Sequence, residues 1–259
     1  MRVLSLAGAA FHDQNPLKLF SPSHLAAIAA LVVISATLVV AARLWPGGWT
    51  RWVGWALAVI LVVNEVAWWG VIAARGEWGW DYALPLYLCD AAGFAAAAAL
   101  ATRRPVLVEV TYFWGLAGTI QAMITPDLHY DFPSYFYFQY FAQHIGIVVA
   151  ALFLVAGLRI VPRPGSVARM VAITVAFTAI GAVADIITGG NYMYLHRKPP
   201  GGSLLDYMGP WPVYIAVGVP LAVALLVLLD LPFWRGRRRA SAWRGRGTPG
   251  GTSGAPPPG

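Results

Sequence analysis

Long apolar runs broken at regular intervals by short polar links dominate the pattern along this chain. Seven stretches are apolar for about the 20 residues that a helix needs to cross a bilayer's hydrocarbon core. They predict helices at residues 24–42, 52–73, 84–101, 106–124, 135–156, 168–188 and 211–231. Turn and cap chemistry marks several ends. Ser21-Pro22 opens the first helix, Pro105 opens the fourth, and Pro126 closes it. Gly189-Gly190 ends the sixth, and Pro210 and Pro212 open the seventh. The third is the least apolar, with a run of small residues from Ala95 to Ala99 that lets neighbouring helices approach closely.

Composition points the same way. Of 259 residues, 59% are hydrophobic and only 11% charged, with a mean hydropathy of +0.64. A water-soluble globule would not cover its surface with so few charges. The 12 Trp and 11 Tyr suit two interfacial belts. The fold expected is therefore all-α, a polytopic membrane bundle of seven transmembrane helices. It comprises a short extracytoplasmic segment (residues 1–20), the helical domain (21–234) and a basic, disordered cytoplasmic tail (235–259). No signal peptide is evident, since the apolar stretch of residues 3–11 is short and interrupted by Gly8. The single cysteine, Cys89, excludes an intrachain disulfide.

Charge refines the picture. The net charge is +7, but the cations lie in short links and the tail, where they read as topology signals and not as a nucleic-acid surface. Arg43, Arg51, Arg103, Arg104, Arg159, Arg163, Arg169 and the tail arginines fall on one side. Arg2, Lys18, Arg75, Arg197 and Lys198 fall on the other. The positive-inside rule places the N-terminus outside and the C-terminus in the cytoplasm, as expected for a multi-pass protein of the cell membrane.

Candidate chemistry lies in the polar residues of the helices, each costly inside a membrane. Asn64 and Glu65 lie in the second helix, and Cys89 and Asp90 in the third. Glu109 and Gln121 are in the fourth, Gln139, Gln143 and His144 in the fifth, and Asp185 in the sixth. At 1.5 Å per residue, Glu65 sits roughly 12 Å and His144 roughly 14 Å from the outer end, so most of the set converges in the outer half of the bundle. Glu109 sits at the other end, where it is expected to reach out to the interface. Cys89 as nucleophile, His144 as its base, and Glu65 or Asp90 as the orienting acid would suit acyl transfer through a thioester. Asn64 and Gln121 are candidate oxyanion donors, and Gln139 and Gln143 complete the substrate-facing set. No metal is expected: Glu65, Asp90 and His144 lack ligand-motif spacing, and His129 and His196 lie in loops. No soluble cofactor motif appears.

Residues 84–90, Leu-Pro-Leu-Tyr-Leu-Cys-Asp, look like an "LPLHLCD" signature, with Tyr87 where many family members carry His. Phe113-Trp114-Gly115-Leu116-Ala117-Gly118-Thr119-Ile120-Gln121-Ala122, Thr125-Pro126-Asp127, Phe138-Gln139-Tyr140-Phe141, Asn191-Tyr192-Met193 and Ser203-Leu204-Leu205-Asp206 continue the pattern, closing on Gly209-Pro210-Trp211-Pro212. Over residues 20–231 the chain resembles the bacterial YwaF-type conserved integral membrane proteins. That family is distantly similar to a vertebrate multi-pass phospholipid acyltransferase with Cys and His as proposed active residues. The resemblance implies Cys89 and His144 as candidates and membrane phospholipid or its acyl groups as partner. A lipid acyltransferase or acyl hydrolase is the leading expectation. A small-solute or proton-coupled transporter is the alternative, and a non-catalytic scaffold the third.

Overall fold

The computed structural model describes residues 16–199 and 203–244, with side chains described as far as Trp234. Residues 1–15 and 245–259, most of the two terminal segments expected above, lie outside the described residues. Seven helices make up the fold: α1 (Pro22–Leu44), α2 (Trp49–Ala74), α3 (Leu88–Thr102), α4 (Pro105–Ile124), α5 (Tyr135–Gly157), α6 (Ser166–Thr188) and α7 (Val213–Arg244). Six are long and apolar enough to span a bilayer, and α3 is shorter, with 15 residues. The chain is an all-α, multi-pass membrane protein.

Two boundaries differ from expectation for local reasons. The third helix begins at Leu88, not at residue 84, because Pro85 disfavours the helical conformation at Leu84. The resulting non-helical lead-in is tolerated because protein covers it on several sides. The seventh helix passes through Pro232 and continues to Arg244, beyond the expected end near residue 231.

The helices alternate in direction. The links after α1, α3 and α5 carry Arg103, Arg104, Arg159 and Arg163, with Arg43, Arg51 and Arg169 in the adjoining helix ends. We call this the arginine end. The α3–α4 link is only Arg103-Arg104; Arg103 takes a left-handed turn (φ 54°) and Pro105 starts the next helix. Side chains tie neighbours here: Arg103 Nη2 donates to Thr50 Oγ1 at 3.3 Å, and Arg43 Nε donates to the Ala156 carbonyl. At the opposite, loop-rich end, His24 joins α1 to α4. The Phe20 N–H donates to its Nδ1 (2.9 Å), which leaves Nε2 to donate to the Met123 carbonyl at 2.8 Å.

Helix α5 is central, with 72% of its apolar window enclosed against 11–22% for α1, α2, α6 and α7. Small residues let its neighbours close on it. Gly146 lies under Leu61 of α2, and Gly115 of α4 faces Ile147 and Ala151. Ala92, Ala96 and Ala99 of α3 are fully buried. Peripheral helices instead present Val33, Trp52 and Ile186 outward, a surface matched to lipid tails.

Candidate functional site

Polar groups from α2, α3 and α5 meet toward the loop-rich half of the bundle. Asn64 spends both amide hydrogens on α5, donating to the Gln139 carbonyl and to Gln143 Oε1, each at 3.0 Å. The other end of the Gln143 amide lies against Gly93 of α3, where a Cβ would overlap Nε2. The seam thus fits only because Gly93 has no side chain. Gly93→Ala is expected to cost about 1 kcal/mol, the worth of the Asn64–Gln143 bond it would displace. Thermal unfolding of Gly93→Ala, Asn64→Ala and the double variant checks this. Strictly additive losses would mean that the two positions are not coupled.

One residue along α2, Glu65 is 2% exposed, and its Oε1 has no hydrogen-bond partner. Asp90 of α3 lies close enough for the two carboxyl groups to interact. Asp90 and Cys89 differ from Glu65 in keeping accessible surface while protein surrounds them. Tyr87 lies within electrostatic reach of Asp90, Tyr140 of Cys89, and Tyr194 of both. The Tyr87 ring packs 5.2 Å from Tyr192 and 5.7 Å from Tyr194. Tyr194 sits within electrostatic reach of Asp127, Tyr87, Cys89 and Asp90; burial first, then these neighbours, holds its phenol above the usual tyrosine range.

His144 is buried on α5 and stacks on Tyr140 with ring centroids 4.0 Å apart. Its Nδ1 lies 2.7 Å from the Tyr140 carbonyl. A carbonyl only accepts, so the proton is on Nδ1 and Nε2 keeps its lone pair. Among the described residues Nε2 has no hydrogen-bond partner. The orienting group is therefore a backbone carbonyl, in place of the Glu65 or Asp90 expected from the sequence. A carbonyl one turn back on the same helix does this without a second buried charge.

Cys89 turns toward α4, with its Sγ 3.8 Å from the hydroxyl of Thr119. Among the described residues, no hydrogen bond joins Cys89 to His144; both border Tyr140. Thr119 closes a π-helical turn, Gly115–Thr119, in the middle of α4. That turn frees the Trp114 carbonyl, which lies 3.5 Å from the Thr119 hydroxyl. Such turns are frequent at functional sites, and Thr119 was not singled out from the sequence. The signal was the Gly-Leu-Ala-Gly-Thr run inside an otherwise bulky helix.

Other candidates fall outside the cluster. Gln121 is exposed, and its side chain makes no hydrogen bond among the described residues. Asn64 has no free donor for an oxyanion in this arrangement. Gln139 takes part through its backbone carbonyl. Asp185 is buried at the end of α6, accepts from the Tyr192 N–H at 2.6 Å and faces His196 Nε2 at 3.6 Å. Its role is positional. The Tyr192 hydroxyl donates to the Trp80 carbonyl (2.7 Å) and accepts from the Leu84 N–H (3.1 Å), fixing the lead-in that carries Cys89 and Asp90. Asn191 folds the same loop, accepting from the His196 and Arg197 N–H groups and donating to the Arg197 carbonyl.

Glu109 behaves differently from its sequence reading. It does not reach out to the interface, but is 2% exposed and accepts from both Arg163 and Arg169 at 2.8–3.2 Å. The Arg163 backbone N–H donates to it as well, at 2.9 Å. It anchors the α5–α6 link far from Cys89 and His144. Among the described residues, no group of three or more His, Cys, Asp or Glu is placed to hold a metal ion.

The chain is 26% identical over 157 residues to an uncharacterized protein of Treponema pallidum (strain Nichols). The match covers 60% of this chain and 63% of that protein's length. No solved structure matches. A family model matches residues 19–230, almost all of the helical domain, and the chain belongs to the TMEM164 family.

Proposed function

We propose that the protein is a membrane enzyme acting on lipid acyl groups, with Cys89 as nucleophile and His144 as its base. The observation that carries this reading is the His144 tautomer: Nδ1 is committed to the Tyr140 carbonyl, so Nε2 keeps its lone pair, and among the described residues Nε2 has no hydrogen-bond partner. An imidazole held only to be satisfied would use both nitrogens, as His24 does. The resemblance to YwaF-type proteins and, through them, to a phospholipid acyltransferase adds the substrate class. In the reaction, the Cys89 thiol gives its proton to His144 Nε2 and the sulfur attacks the ester carbonyl carbon. The ester C–O bond breaks, the leaving lysolipid oxygen takes the proton from His144, and the acyl group remains as a thioester. An acceptor hydroxyl or water, deprotonated by the same Nε2, then attacks the thioester; the C–S bond breaks, and the leaving Cys89 sulfur takes the proton back from Nε2. Thr119, beside the sulfur, is the nearest donor for the developing oxyanion. Substrate must draw Sγ and Nε2 together, since catalytic bonds commonly tighten only on binding.

The Lys/Arg distribution places the arginine end in the cytoplasm under this reading, and the acyl site nearer the outer leaflet. An acyl-thioester trapping assay on purified protein tests the chemistry. Wild type is expected to accumulate hydroxylamine-labile acyl label. Cys89→Ser is expected to lose this label, and His144→Ala to form it at least about 100-fold more slowly. Equal labelling of wild type and Cys89→Ser would end the proposal.

A second reading rests on the unpaired Glu65 carboxylate beside Asp90, the kind of intramembrane pair that carries protons in transporters. It predicts proton-coupled solute uptake by reconstituted vesicles that Glu65→Gln abolishes and Cys89→Ser leaves intact.

A further inference from the structure

On the side of α5 facing away from His144, Gln139 and Gln143, a groove of about 770 Å³ runs between α1 and α5. Residues 138, 141, 142 and 145 share that face, because the helix turns 100° per residue. Buried Ala27 and Phe141 form its floor, Phe138 and Ile145 its far wall, and the small Ala26 and Ala30 keep it open on the α1 side. Its volume lies in the range of small-molecule and lipid sites. Because α1 and the outer face of α5 look toward the bilayer, an acyl chain is the occupant chemically matched to this surface.

The mouth is polar and acidic. It lies where α1 and α5 begin, at headgroup depth, and holds Ser21, Ser23 and Asp131. Asp131 Oδ1 accepts from Ser23 Oγ at 2.6 Å and from the Phe132 N–H at 2.7 Å, so the carboxylate is held in place on the groove. Among the described residues, no Lys, Arg or His lies within ion-pair distance of Asp131, and Oδ2 has no hydrogen-bond partner. A fixed acid with no cation partner among the described residues, at the polar end of a tail-sized apolar groove, fits a lipid that brings its own cation.

We propose that this groove binds phosphatidylethanolamine as a structural lipid, its amine on Asp131 and one acyl chain along α1 and α5. The site is separate from the Cys89–His144 region and does not rest on the acyl-transfer reading.

The test is lipid binding by full-length purified protein, read by native mass spectrometry and by thermal shift. Phosphatidylethanolamine is compared with phosphatidylethanol of the same chains, which lacks only the amine. Phosphatidylethanolamine is expected to half-saturate at a roughly tenfold lower concentration, the scale of one charge-assisted hydrogen bond. Asp131→Asn should erase that preference. Ala30→Trp, which fills the groove from a lipid-facing position, should remove the binding of both lipids. Equal affinity of wild type for the two lipids overturns the proposal without recourse to any variant. So does a preference that survives in Asp131→Asn. If a chain lacking residues 1–15 gains binding of both lipids alike, the groove is filled by the protein's own N-terminal segment, and the proposal fails.

Discussion

Removing the two arginines from Glu109 is expected to destabilise the protein more than removing Glu109 itself. The carboxylate is the enclosed member, 2% exposed, whereas the Arg163 and Arg169 side chains keep 44% and 35% of their surface. In Glu109→Gln the guanidinium groups turn to water at the helix ends, and the amide oxygen still accepts from the Arg163 N–H. In Arg163→Ala/Arg169→Ala the carboxylate stays beneath the α5–α6 link with only that N–H. A stranded buried carboxylate costs about 3 kcal/mol, the lower part of the range for breaking a buried pair, because water is near at a helix end. Thermal unfolding in one detergent, monitored by tryptophan fluorescence, ranks the variants. The arginine double variant should unfold well below Glu109→Gln, with each single arginine variant between wild type and the double. If Glu109→Gln is the least stable of the set, the carboxylate is not the enclosed partner, and this account of the link is wrong.

That cluster also shows where a linear reading of this chain stops. The number of apolar helices and most of their limits were legible because a bilayer demands about 20 apolar residues in a row, while the start of α3 and the end of α7 were not. The arginine count along the links was equally plain. Counting, however, treats each arginine as an independent marker. It gives no reason for Arg163 and Arg169 to fold back over one glutamate 54 and 60 residues earlier. Convergence of Asn64 and Gln143 in one half of the bundle followed from depth and cost, but their bond to each other did not. Rotation about each helix axis did not follow from depth. Gln121 is exposed on α4, and Asp185 is drawn aside by the loop it caps. Cys89 faces Thr119 because a π turn shifts the phase of α4 there, and no 3.6-residue period anticipates that. The His144 tautomer depended on a backbone carbonyl, which side-chain types do not reveal.

Two adjacent residues of α2 should respond to apolar substitution with opposite signs. Asn64→Ala removes the donor to the Gln139 carbonyl and Gln143 Oε1. It should cost about 1–2 kcal/mol, as two acceptors lose their partner in a dry seam. Glu65→Met removes an enclosed carboxylate with an unpaired oxygen next to a second acid and puts an apolar chain of similar length in its place. Exchanging an unsatisfied buried charge for packing is often stabilising by 1–4 kcal/mol. We expect a gain of about 1–2 kcal/mol, seen as a rise of several degrees in the unfolding temperature. Under the transport reading, the same variant should also abolish proton-coupled solute uptake. A side chain that lowers stability where methionine would raise it is held for what it does, the usual trade between activity and stability. Unfolding temperatures of wild type, Asn64→Ala and Glu65→Met, measured side by side, settle the sign. Should Glu65→Met melt below wild type, the carboxylate is contributing to the fold. Its unpaired oxygen would then carry no argument for a role in proton or acyl chemistry.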